Sequence, residues 1–552
     1  MTKKSVFFLF MSLVFLTAPF WLPPIQLFFQ QTFFLTARSV SLLGFILLAG
    51  QGSVYVLPDS TVKSVHDFST HLKIHFRLVS FCFFALLFTA LLVTNQYILS
   101  SFFSSGDEHS CYFLAECIRQ GKLWVPTHPL REFFEVVHVG SVDGKWFSVY
   151  PPGWPLIFAL GLQFHIANLI NPMLTLISVF FLFKIGSKIF GFWSSVLGIS
   201  LMAITPFFLL NSASYFSHAT CLLTIVIFVY AYLKWVEKRT LFWAVLCAFA
   251  IGFGLNTRYL TMAAMAAPFL TYELFLLIKK EVRWTKSHLV FGIILAIGVL
   301  FTFYYNYLVT GSPLEAPNHY YHHWERLGFH DDYTPVHATL FVIYRLFFLM
   351  DWIPPIFLFC YLMALTQKNK FDVRAQLVRF SFLYLVVAYF FYYSWGGNQY
   401  GPRYYFGGIP FLFLTASGMI HKRWSNGDKQ VKKFIVGVIL ASMIANVYLL
   451  IHHGWFNRLV SRERKSLYDL AEKTVRKPAI VFIGGFLGDT LIMAGEDAIR
   501  NHPNLNGEIL YAHDLKGKNE KLMEYYPERN FYLGSYDRKL KQPKLELVKG
   551  LK

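Results

Sequence analysis

The chain contains many stretches of about 20 mostly apolar residues, and their length limits what it can fold into. Clear examples are Leu78–Leu99, His288–Leu308, Leu340–Leu365 and Phe434–Ile451. A helix of about 20 residues crosses the ~30 Å hydrocarbon core of a bilayer, whereas a soluble core helix rarely needs apolar residues on every face over that length. Of the 552 residues, 55% are hydrophobic and only 15% are charged, so we predict an integral membrane protein.

Taken in order, the apolar stretches predict about thirteen transmembrane helices. They lie near residues 5–22, 37–57, 76–99, 171–186, 190–210, 215–235, 241–257, 259–278, 287–308, 339–365, 376–395, 403–420 and 432–453. Lys3 and Lys4 precede the first of them, as they would precede a secretory signal. Residues 17–21 offer no cleavage site with small residues, so we predict that this segment remains a span.

Basic residues are concentrated in short loops between the predicted spans. Lys184 and Lys188 follow the fourth span, for example, and Lys279 and Lys280 follow the eighth. Because short loops rich in Lys and Arg face the cytoplasm, this pattern predicts a cytoplasmic N-terminus and an extracytoplasmic C-terminus. It also explains the formal net charge of +19 without nucleic acid, which we exclude as a partner.

This orientation divides the chain into four predicted parts. They are N-terminal transmembrane helices at 1–100, a first extracytoplasmic loop with an acidic motif at 101–170, a transmembrane helical core at 171–453, and an extracytoplasmic C-terminal domain at 454–552. Strand-like runs near 479–483, 508–512 and 530–533, separated by polar helical stretches, predict that the last part is a small α/β domain. The predicted fold class is therefore an all-α polytopic membrane protein with a small extracytoplasmic α/β domain.

Asp107 and Glu108 are adjacent carboxylates in the sequence GDEH, directly after an apolar span. Two carboxylates at a membrane boundary are costly to desolvate, so they need a partner or a function. A simpler interpretation makes Asp107 the N-cap of a helix over Ser110–Gln120. From these residues alone both interpretations stay open.

The rest of the first outer loop contains rigid elements. Val142–Ser148 predicts a hairpin with an Asp-Gly turn. It leads into the sequence YPPGWP at residues 150–155, whose prolines and aromatics form a stiff platform suited to the rim of a cavity. A plain entry turn to the next helix is the alternative.

A later outer loop, at residues 309–337, is rich in histidine and aspartate. These residues are His319, His322, His323, His330, Asp331 and Asp332. No helical i, i+4 register or recognised zinc spacing links them, so we assign no metal ligand, and a divalent metal stays an unsupported option. Tyr320, Tyr321 and Trp324 either stack on a sugar or belong to an interfacial aromatic belt.

Several short motifs follow the acidic pair in an order that resembles a known family. They read GKLWVP, VDGKWFSVYPPGWPLIFALG, SYFSH, GLNTRYLT, YNYLVTGSP and GGNQYGPRYY, and with the acidic pair they cover about residues 100 to 420. Together they resemble bacterial members of the dolichyl-phosphate-mannose protein mannosyltransferase family, which includes aminoarabinose transferases, within the GT-C superfamily. Three predicted spans precede the acidic pair here, where the family usually has one.

The resemblance implies a membrane glycosyltransferase in a bacterial inner or plasma membrane, surrounded by membrane lipids. It would take a sugar from a polyprenyl-phosphate donor at the extracytoplasmic face and transfer it to a lipid, glycan or protein acceptor. No nucleotide sugar is implied. In the family the acidic pair of the first outer loop carries the catalytic aspartate, which implies Asp107 as general base and Glu108 as its neighbour.

The chemistry of inverting transfer asks for the same kinds of group. A base must deprotonate the acceptor hydroxyl, and cations must stabilise the leaving lipid phosphate in a low-dielectric site. Arg403 and Arg258 are candidates for that phosphate, since a guanidinium stays charged and offers two donors; alternatively, either is a snorkelling anchor. His218 is assigned to the same phosphate, with a structural histidine as the alternative. Substrate contacts are assigned to Tyr150, Tyr400 and Asn306.

Three other classes of function remain as alternatives. A multi-pass transporter or flippase of envelope glycolipids also has intramembrane charges, but we find no internal repeat, and the ionisable residues gather at one face. A polysaccharide polymerase or ligase uses similar chemistry on larger substrates. A non-catalytic scaffold would bind a partner through its tail.

Overall fold

The structure is a computed structural model that describes residues 4, 8, 11–12, 28–321, 326–330, 333–367, 372–394, 399–484, 499–537, 540 and 542–550. The predicted first span near 5–22 therefore lies largely outside the described residues. The described chain is mostly helical, with two small sheets.

Seven described helices are long and apolar enough to cross a membrane, or up to nine if each of two bent pairs is one span. The seven contain the apolar segments Ala37–Val56, Phe76–Ile98, Ala167–Ile189, His218–Lys238, Leu241–Ile278, Lys286–Thr310 and Lys429–Thr474. The predicted count of about thirteen is not reached among the described helices, because several predicted spans are short, bent or joined to a neighbour.

The helices up to the middle of the chain are numbered in order. They are α1 (Phe28–Val56), α2 (Ser60–Ile74), α3 (Phe76–Val93, continued by a π-helical turn Thr94–Ile98), α4 (Gly106–Arg119), α5 (Gly153–Gln163), α6 (Ala167–Ile189), α7 (Phe192–Ala203), α8 (Pro206–Ala213), α9 (His218–Lys238), α10 (Leu241–Ile278) and α11 (Lys286–Thr310).

The remaining helices follow the same numbering. They are α12 (Pro317–Tyr321), α13 (Pro335–Met350), α14 (Ile356–Thr366), α15 (Val373–Arg379), α16 (Ser381–Phe390), α17 (Ile409–Asn426), α18 (Lys429–Thr474) and α19 (Asn519–Tyr525).

Breaks in the helices account for the differences from the predicted spans. The predicted helix 190–210 is divided into α7 and α8, bent by 69° before Pro206. The predicted helix 339–365 is divided into α13 and α14 by a segment that ends in Pro354 and Pro355, since proline cannot continue the helical hydrogen bonding. The two predicted helices at 241–257 and 259–278 form α10, which has a non-helical backbone at Arg258.

Between α4 and α5 the chain forms a small antiparallel sheet of β1 (Val125–Pro126), β2 (Val139–Val142) and β3 (Lys145–Ser148). Strands β2 and β3 form the predicted hairpin, which is confirmed, and its turn is Asp143-Gly144. Both turn residues have positive φ, 50° and 73°, as a two-residue type I′ turn requires.

Helix α18 is longer than the predicted span near 432–453. It has 46 residues and runs on to Thr474, because its second half is amphipathic and buries Ser461, Arg464, Leu467 and Ala471. At 1.5 Å per residue it is about 69 Å long, more than twice the thickness of the hydrocarbon core.

After α18 the chain forms a four-stranded sheet of β4 (Ala479–Ile483), β5 (Ile509–His513), β6 (Asn530–Asp537) and β7 (Gln542–Lys549). The spatial order is β5-β4-β6-β7, with β7 antiparallel to β6 and the other pairs parallel. Strand β7 was not predicted; it alternates charged and apolar residues and is largely exposed.

The described residues form two large hydrophobic cores and two smaller clusters. The larger core lies among the apolar helices. The second joins α4 and the β1–β3 sheet to the β4–β7 sheet, with Phe113, Trp146, Phe133 and Phe482 among its buried members. The first loop and the C-terminal sheet therefore form one packed layer.

Candidate functional site

The acidic pair lies in the first turn of α4. This helix begins at Gly106, and its N-cap is Ser105, whose side chain accepts a hydrogen bond from the Asp107 backbone N–H. The alternative that Asp107 caps a helix starting at Ser110 is therefore wrong. A carboxylate in the first helical turn is favoured by the helix dipole, and its side chain is free to contact other parts of the molecule.

The segment that enters α4 is held by the long helix α18. Arg464 of α18 donates to the Ser104 carbonyl, and Lys465 donates to the Ser100 carbonyl at 3.2 Å. Gln399 also donates to the Ser104 carbonyl at 2.9 Å. Elements far apart in the chain thus fix the backbone that carries Asp107.

The Asp107 carboxylate is surrounded by donors from several elements. Arg403 Nη2 lies 3.1 Å from both Oδ1 and Oδ2, and the Tyr150 hydroxyl donates to Oδ1. Ser105 Oγ donates to Oδ2 at 2.7 Å, and His138 Nε2 lies 3.6 Å from Oδ2. The structure thus brings together three of the predicted site residues: Asp107, Tyr150 and Arg403.

These contacts determine the charge state of Asp107. Burial alone would raise its pKa, but the Arg403 guanidinium, the nearby His138 and the hydrogen bonds from Tyr150 and Ser105 outweigh burial and hold the pKa well below its usual range. Asp107 is therefore ionised across the physiological pH range. A strongly stabilised carboxylate is also a weak base as long as all these partners remain in place.

Arg403 is positioned by a tight turn after Tyr400. Tyr400 and Gly401 both have positive φ, and a Cβ on Gly401 would meet Phe207 at 2.8 Å, so only glycine fits there. The guanidinium lies over the Phe216 ring, 4.4 Å from its centroid. Among the described residues, the buried Nη1 of Arg403 has no hydrogen-bond partner, so one donor is available to a ligand.

Arg258 lies where the backbone of α10 leaves helical geometry, with φ −151° and ψ 86°. Its Nη1 donates to Ser217 Oγ at 3.3 Å, and its guanidinium lies 5.6 Å from the centre of the Tyr404 ring. Both contacted residues are sequence neighbours of site groups, next to His218 and Arg403 respectively. Arg258 therefore lies close to the Arg403 side of the site.

His218 is buried at the N-terminus of α9, and its ring contacts Phe216 and Phe406. In the described part of the chain its Nε2 has no hydrogen-bond partner. The charges of Arg258, Arg403 and Asp107 all act on this ring. The two predicted arginines and the histidine thus lie near one another, since Arg403 and His218 both contact Phe216 and Arg258 contacts the adjacent Ser217.

Glu108 points away from Arg403 and accepts a hydrogen bond from the Tyr215 backbone N–H at 2.9 Å. Burial, together with the neighbouring Asp107 charge, raises its pKa to about 7, although the hydrogen bond from Tyr215 acts in the opposite direction. The two adjacent carboxylates therefore have opposite pKa shifts. Glu108 connects α4 to the segment that precedes α9.

The other two assigned substrate contacts differ in position. The Tyr400 side chain is buried against Phe216, and the Tyr400 carbonyl accepts from Asn211 at 2.8 Å, so Tyr400 helps to shape the turn before Arg403. Asn306 donates to the Pro313 carbonyl at 3.2 Å. Its recorded contacts lie within its own loop at the end of α11, and it makes none with the Asp107 group.

Sequence reasoning missed several residues of the site. His138 precedes β2 and belongs to no recognisable motif, and Ser105 was not separated from the acidic pair as its cap. Phe216 was part of the SYFSH motif, where its position two residues before His218 was the available signal. The hairpin was predicted, but not that its first strand presents His138 to Asp107.

No three His, Cys, Asp or Glu side chains are grouped for a metal ion among the residues that the structure describes. Of the predicted histidine-rich loop, His322, His323, Trp324, Asp331 and Asp332 lie outside the described residues. Tyr320 donates to Glu315 at 2.6 Å, and the Tyr321 ring lies 5.6 Å from the His138 ring. Residues of this loop thus approach the site from one side.

The site can stabilise an anion and accept a proton. Arg403 and Arg258 supply two permanent positive charges, Asp107 supplies one negative charge, and most of the surroundings are aromatic and buried. In such a low-dielectric site, a charge-assisted contact to phosphate is stronger than in water.

A family profile described as dolichyl-phosphate-mannose-protein mannosyltransferase matches residues 153–305. The resemblance predicted from the motifs is confirmed by this match. The matched part contains His218 and Arg258, whereas Asp107, Tyr150 and Arg403 lie outside it. No curated protein sequence is significantly similar to the chain.

The fold is similar to that of solved membrane glycosyltransferases. ArnT from Cupriavidus metallidurans in the apo state has a TM-score of 0.50 and 14% identity, covering 85% of this chain and 94% of that chain. A structure of the same ArnT bound to undecaprenyl phosphate has a TM-score of 0.49 and 13% identity, covering 83% and 93%. The archaeal oligosaccharyltransferase AglB from Archaeoglobus fulgidus, in complex with an inhibitory peptide and a dolichol-phosphate, has a TM-score of 0.46 and 12% identity, covering 84% and 70%.

The similarity to ArnT in the apo state shows an ArnT-like fold for this chain. The long apolar helices among the described residues make it a membrane protein.

Proposed function

We propose that this chain is an inverting glycosyltransferase that moves a sugar from a polyprenyl-phosphate donor to an acceptor at the extracytoplasmic face of a bacterial inner membrane. The observation that carries the proposal is the contact between Asp107 and Arg403, 296 positions apart in the chain. It puts a carboxylate suited to proton abstraction beside a guanidinium suited to phosphate. The fold similarity to ArnT and the family match support the same class of chemistry.

Asp107 is the proposed general base. The acceptor hydroxyl oxygen forms a bond to the anomeric carbon while the bond from that carbon to the phosphate oxygen breaks. The electron pair of the broken bond stays with the polyprenyl phosphate, and the acceptor proton passes to an Asp107 carboxylate oxygen. The products are the glycosylated acceptor and polyprenyl phosphate, and Asp107 then returns its proton to water.

Arg403, Arg258 and His218 are the proposed phosphate site. The negative charge on the leaving phosphate increases as the glycosidic bond breaks, and two guanidinium groups stabilise it. Arg403 Nη1 has no described partner, which leaves it available for this phosphate. Glu108, by contrast, is proposed to orient Asp107 by fixing α4 to Tyr215.

If Arg403 contacts the donor phosphate instead of Asp107, donor binding makes Asp107 a stronger base. Arg403 holds the pKa of Asp107 low. A donor phosphate that attracts the same guanidinium weakens its hold on Asp107, so the carboxylate becomes a stronger base when there is a donor to attack. Tyr150 and Ser105, which donate to the same carboxylate, then keep its orientation.

The test compares cells that lack the gene with cells that express wild type, Asp107→Asn or Asp143→Asn. Asp143 is an exposed turn residue with φ 50°, a conformation that asparagine also adopts, so it is a control for the same chemical change in the same loop. Mass spectrometry of lipid extracts should show a polyprenyl-phosphate monosaccharide that accumulates without the gene and with Asp107→Asn. It should be consumed with wild type and Asp143→Asn, since loss of a general base lowers the rate by about 10²–10⁴.

Identical lipid profiles in all four strains, with every variant stably inserted in the membrane, would contradict the transferase proposal. A profile in which Asp107→Asn behaves as wild type while the strain without the gene accumulates the lipid would retain the transferase and reject Asp107 as base.

A further inference from the structure

A second basic site lies away from Asp107, where α18 passes the end of α3. It is a cavity of about 450 Å³ between the π-helical turn and the middle of α18. Its lining includes Tyr97, Ser100, Arg458, Arg462, Lys465 and Asp469. Three of these side chains are cationic and one is anionic, so the cavity has a net positive charge.

The cationic residues follow helical spacing. Arg458, Arg462 and Lys465 are at positions i, i+4 and i+7 of α18, which places them on one face of the helix. Like charges at such spacing repel one another and destabilise an isolated helix. Three of them on one face are therefore a cost to the fold unless an anion is bound between them.

Residues at the end of α3, which form the opposite wall of the cavity, hold Arg458 and Lys465 in defined positions. The Arg458 guanidinium lies over the Tyr97 ring, 3.4 Å from its centroid, and Lys465 donates to the Ser100 carbonyl at 3.2 Å. Among the described residues, the buried Nε of Arg458 has no hydrogen-bond partner. Ser100 has φ 56°, a strained conformation for serine that turns its carbonyl toward α18.

The surroundings of the cavity are those of a membrane boundary. On α18, Ile451 and Trp455 precede Arg458, and both are 66% exposed. On α3 and its π-helical turn, Val93 and Tyr97 are 49% and 55% exposed. Exposed apolar and aromatic side chains that give way to Arg and Lys within one or two helical turns are typical of the interface, where cations meet lipid phosphates.

We propose that this cavity binds the phosphate of an anionic phospholipid of the bilayer, with the acyl chains against the exposed apolar side chains of α3 and α18. Arg462 is exposed and reaches the phosphate from outside, whereas Arg458 and Lys465 form the inner wall. Asp469 lies at the end of the cavity farthest along α18 from the apolar segment.

This cavity is distinct from the proposed site of glycosyl transfer at Asp107. Its described contacts involve no side chain of the Asp107 group. The proposal therefore does not depend on the enzymatic proposal, and each can fail alone. The two sites are joined by the backbone from Ser100 to Ser105, which α18 holds at one end through Lys465 and near the other through Arg464.

The test uses the purified full chain in detergent and native mass spectrometry. Palmitoyl-oleoyl phosphatidylglycerol is titrated against wild type, Arg462→Gln, the triple variant Arg458→Gln/Arg462→Gln/Lys465→Gln, and a control triple variant. The control removes the same number of charges at exposed positions outside the cavity: Lys473→Gln, Arg476→Gln and Lys521→Gln. Phosphatidylcholine and inorganic phosphate are the comparison ligands.

We expect wild type and the control to retain one tightly bound phosphatidylglycerol. Arg462→Gln should bind it about tenfold more weakly, as for loss of one charge-assisted contact, and the triple variant should lose it. Because Arg462 is exposed, the single variant answers the question even if the triple variant fails to fold. Equal phosphatidylglycerol affinity for wild type and Arg462→Gln would overturn the proposal. So would an equal loss in the control, equal binding of phosphatidylcholine, or displacement of the lipid by inorganic phosphate.

Discussion

Asp107 and Asp351 are each paired with an arginine, and the surroundings of the two pairs differ. Asp107 contacts Arg403, with the two side chains 16% and 14% exposed. Asp351, between α13 and α14, contacts Arg38 of α1, with 3% and 9% exposed. Arg38 Nη1 lies 2.8 and 3.1 Å from the two Asp351 oxygens, and His453 of α18 lies 3.4 Å from Oδ2.

This difference in surroundings indicates the role of each ion pair. The Asp351 pair joins three helices, and its partners are reinforced by a hydrogen bond between His453 and the Asp351 carbonyl at 2.7 Å and by stacking of His453 on Trp352. The Asp107 pair lies in a loop helix, and one Arg403 nitrogen has no described partner. The more buried Asp351 pair holds core helices together, whereas the Asp107 pair lies among loop residues, where a ligand can reach it.

Asp351→Asn should have the largest effect on stability. It leaves Arg38 buried without its counter-charge, and breaking a buried pair from one side costs about 4 kcal/mol. We expect a large fall in the melting temperature of the purified protein. Asp59→Asn is the matched control, because Asp59 forms ion pairs with Lys429 and Lys433 while itself exposed, and its melting temperature should be unchanged.

If Asp351→Asn and Asp59→Asn have the same melting temperature, the Arg38–Asp351 pair is not what holds α1 to the core. If Asp351→Asn keeps its stability but loses sugar transfer, the comparison between the two pairs is reversed.

Arg403→Lys should have the next largest effect, on activity instead of stability. Lysine keeps the charge but lacks the planar guanidinium, whose several N–H donors can contact the carboxylate and the phosphate at once. We therefore expect kcat/KM to fall about 100-fold, which corresponds to ~2.7 kcal/mol of transition-state stabilisation. Arg131→Lys at an exposed ion pair with Glu135 is the control and should retain the wild-type rate. Radiolabelled sugar transfer by purified protein is the measurement, and a wild-type rate for Arg403→Lys would remove Arg403 from the phosphate site.

The smallest effect is expected at Glu108, on the dependence of stability on pH. Its pKa in the folded protein is about 7, above the ordinary 4.5, so the folded state binds this proton more tightly than the unfolded state. The resulting stability is present below the unfolded pKa and is lost as the pH rises through about 7. Between pH 5.5 and 8, wild type should lose about 2 °C of melting temperature relative to Glu108→Gln. Parallel pH profiles for the two proteins would show that Glu108 does not titrate in this range.

Much of the helical architecture could be predicted from the apolar stretches, as α3, α6, α9 and α11 show. The breaks were harder to predict. The non-helical backbone at Arg258 depends on packing. The extension of α18 past the apolar segment depends on an amphipathic face that is buried only when the β4–β7 sheet packs beside it. Strand β7 also escaped prediction, since it is largely exposed and has few apolar residues.

For the site, motifs indicated Asp107 and Arg403 separately but could not place one against the other. That contact depends on the turn at Tyr400 and Gly401 and on the segment held by α18, both of which are tertiary features. His138 could not be predicted at all, because it belongs to no pattern before the hairpin is folded. Asn306 shows the reverse case: it lies in a family motif, but its recorded contacts are in its own loop.

Because α18 is uninterrupted, its length sets the distance between the apolar helices and the C-terminal sheet. Each residue inserted after His453 would turn the sheet by about 100° and move it by ~1.5 Å relative to α4. Seven residues would nearly restore the orientation but would lift the sheet by about 10 Å, away from the layer it shares with the first loop. Insertions in this segment should therefore disrupt the layer that the sheet shares with the first loop.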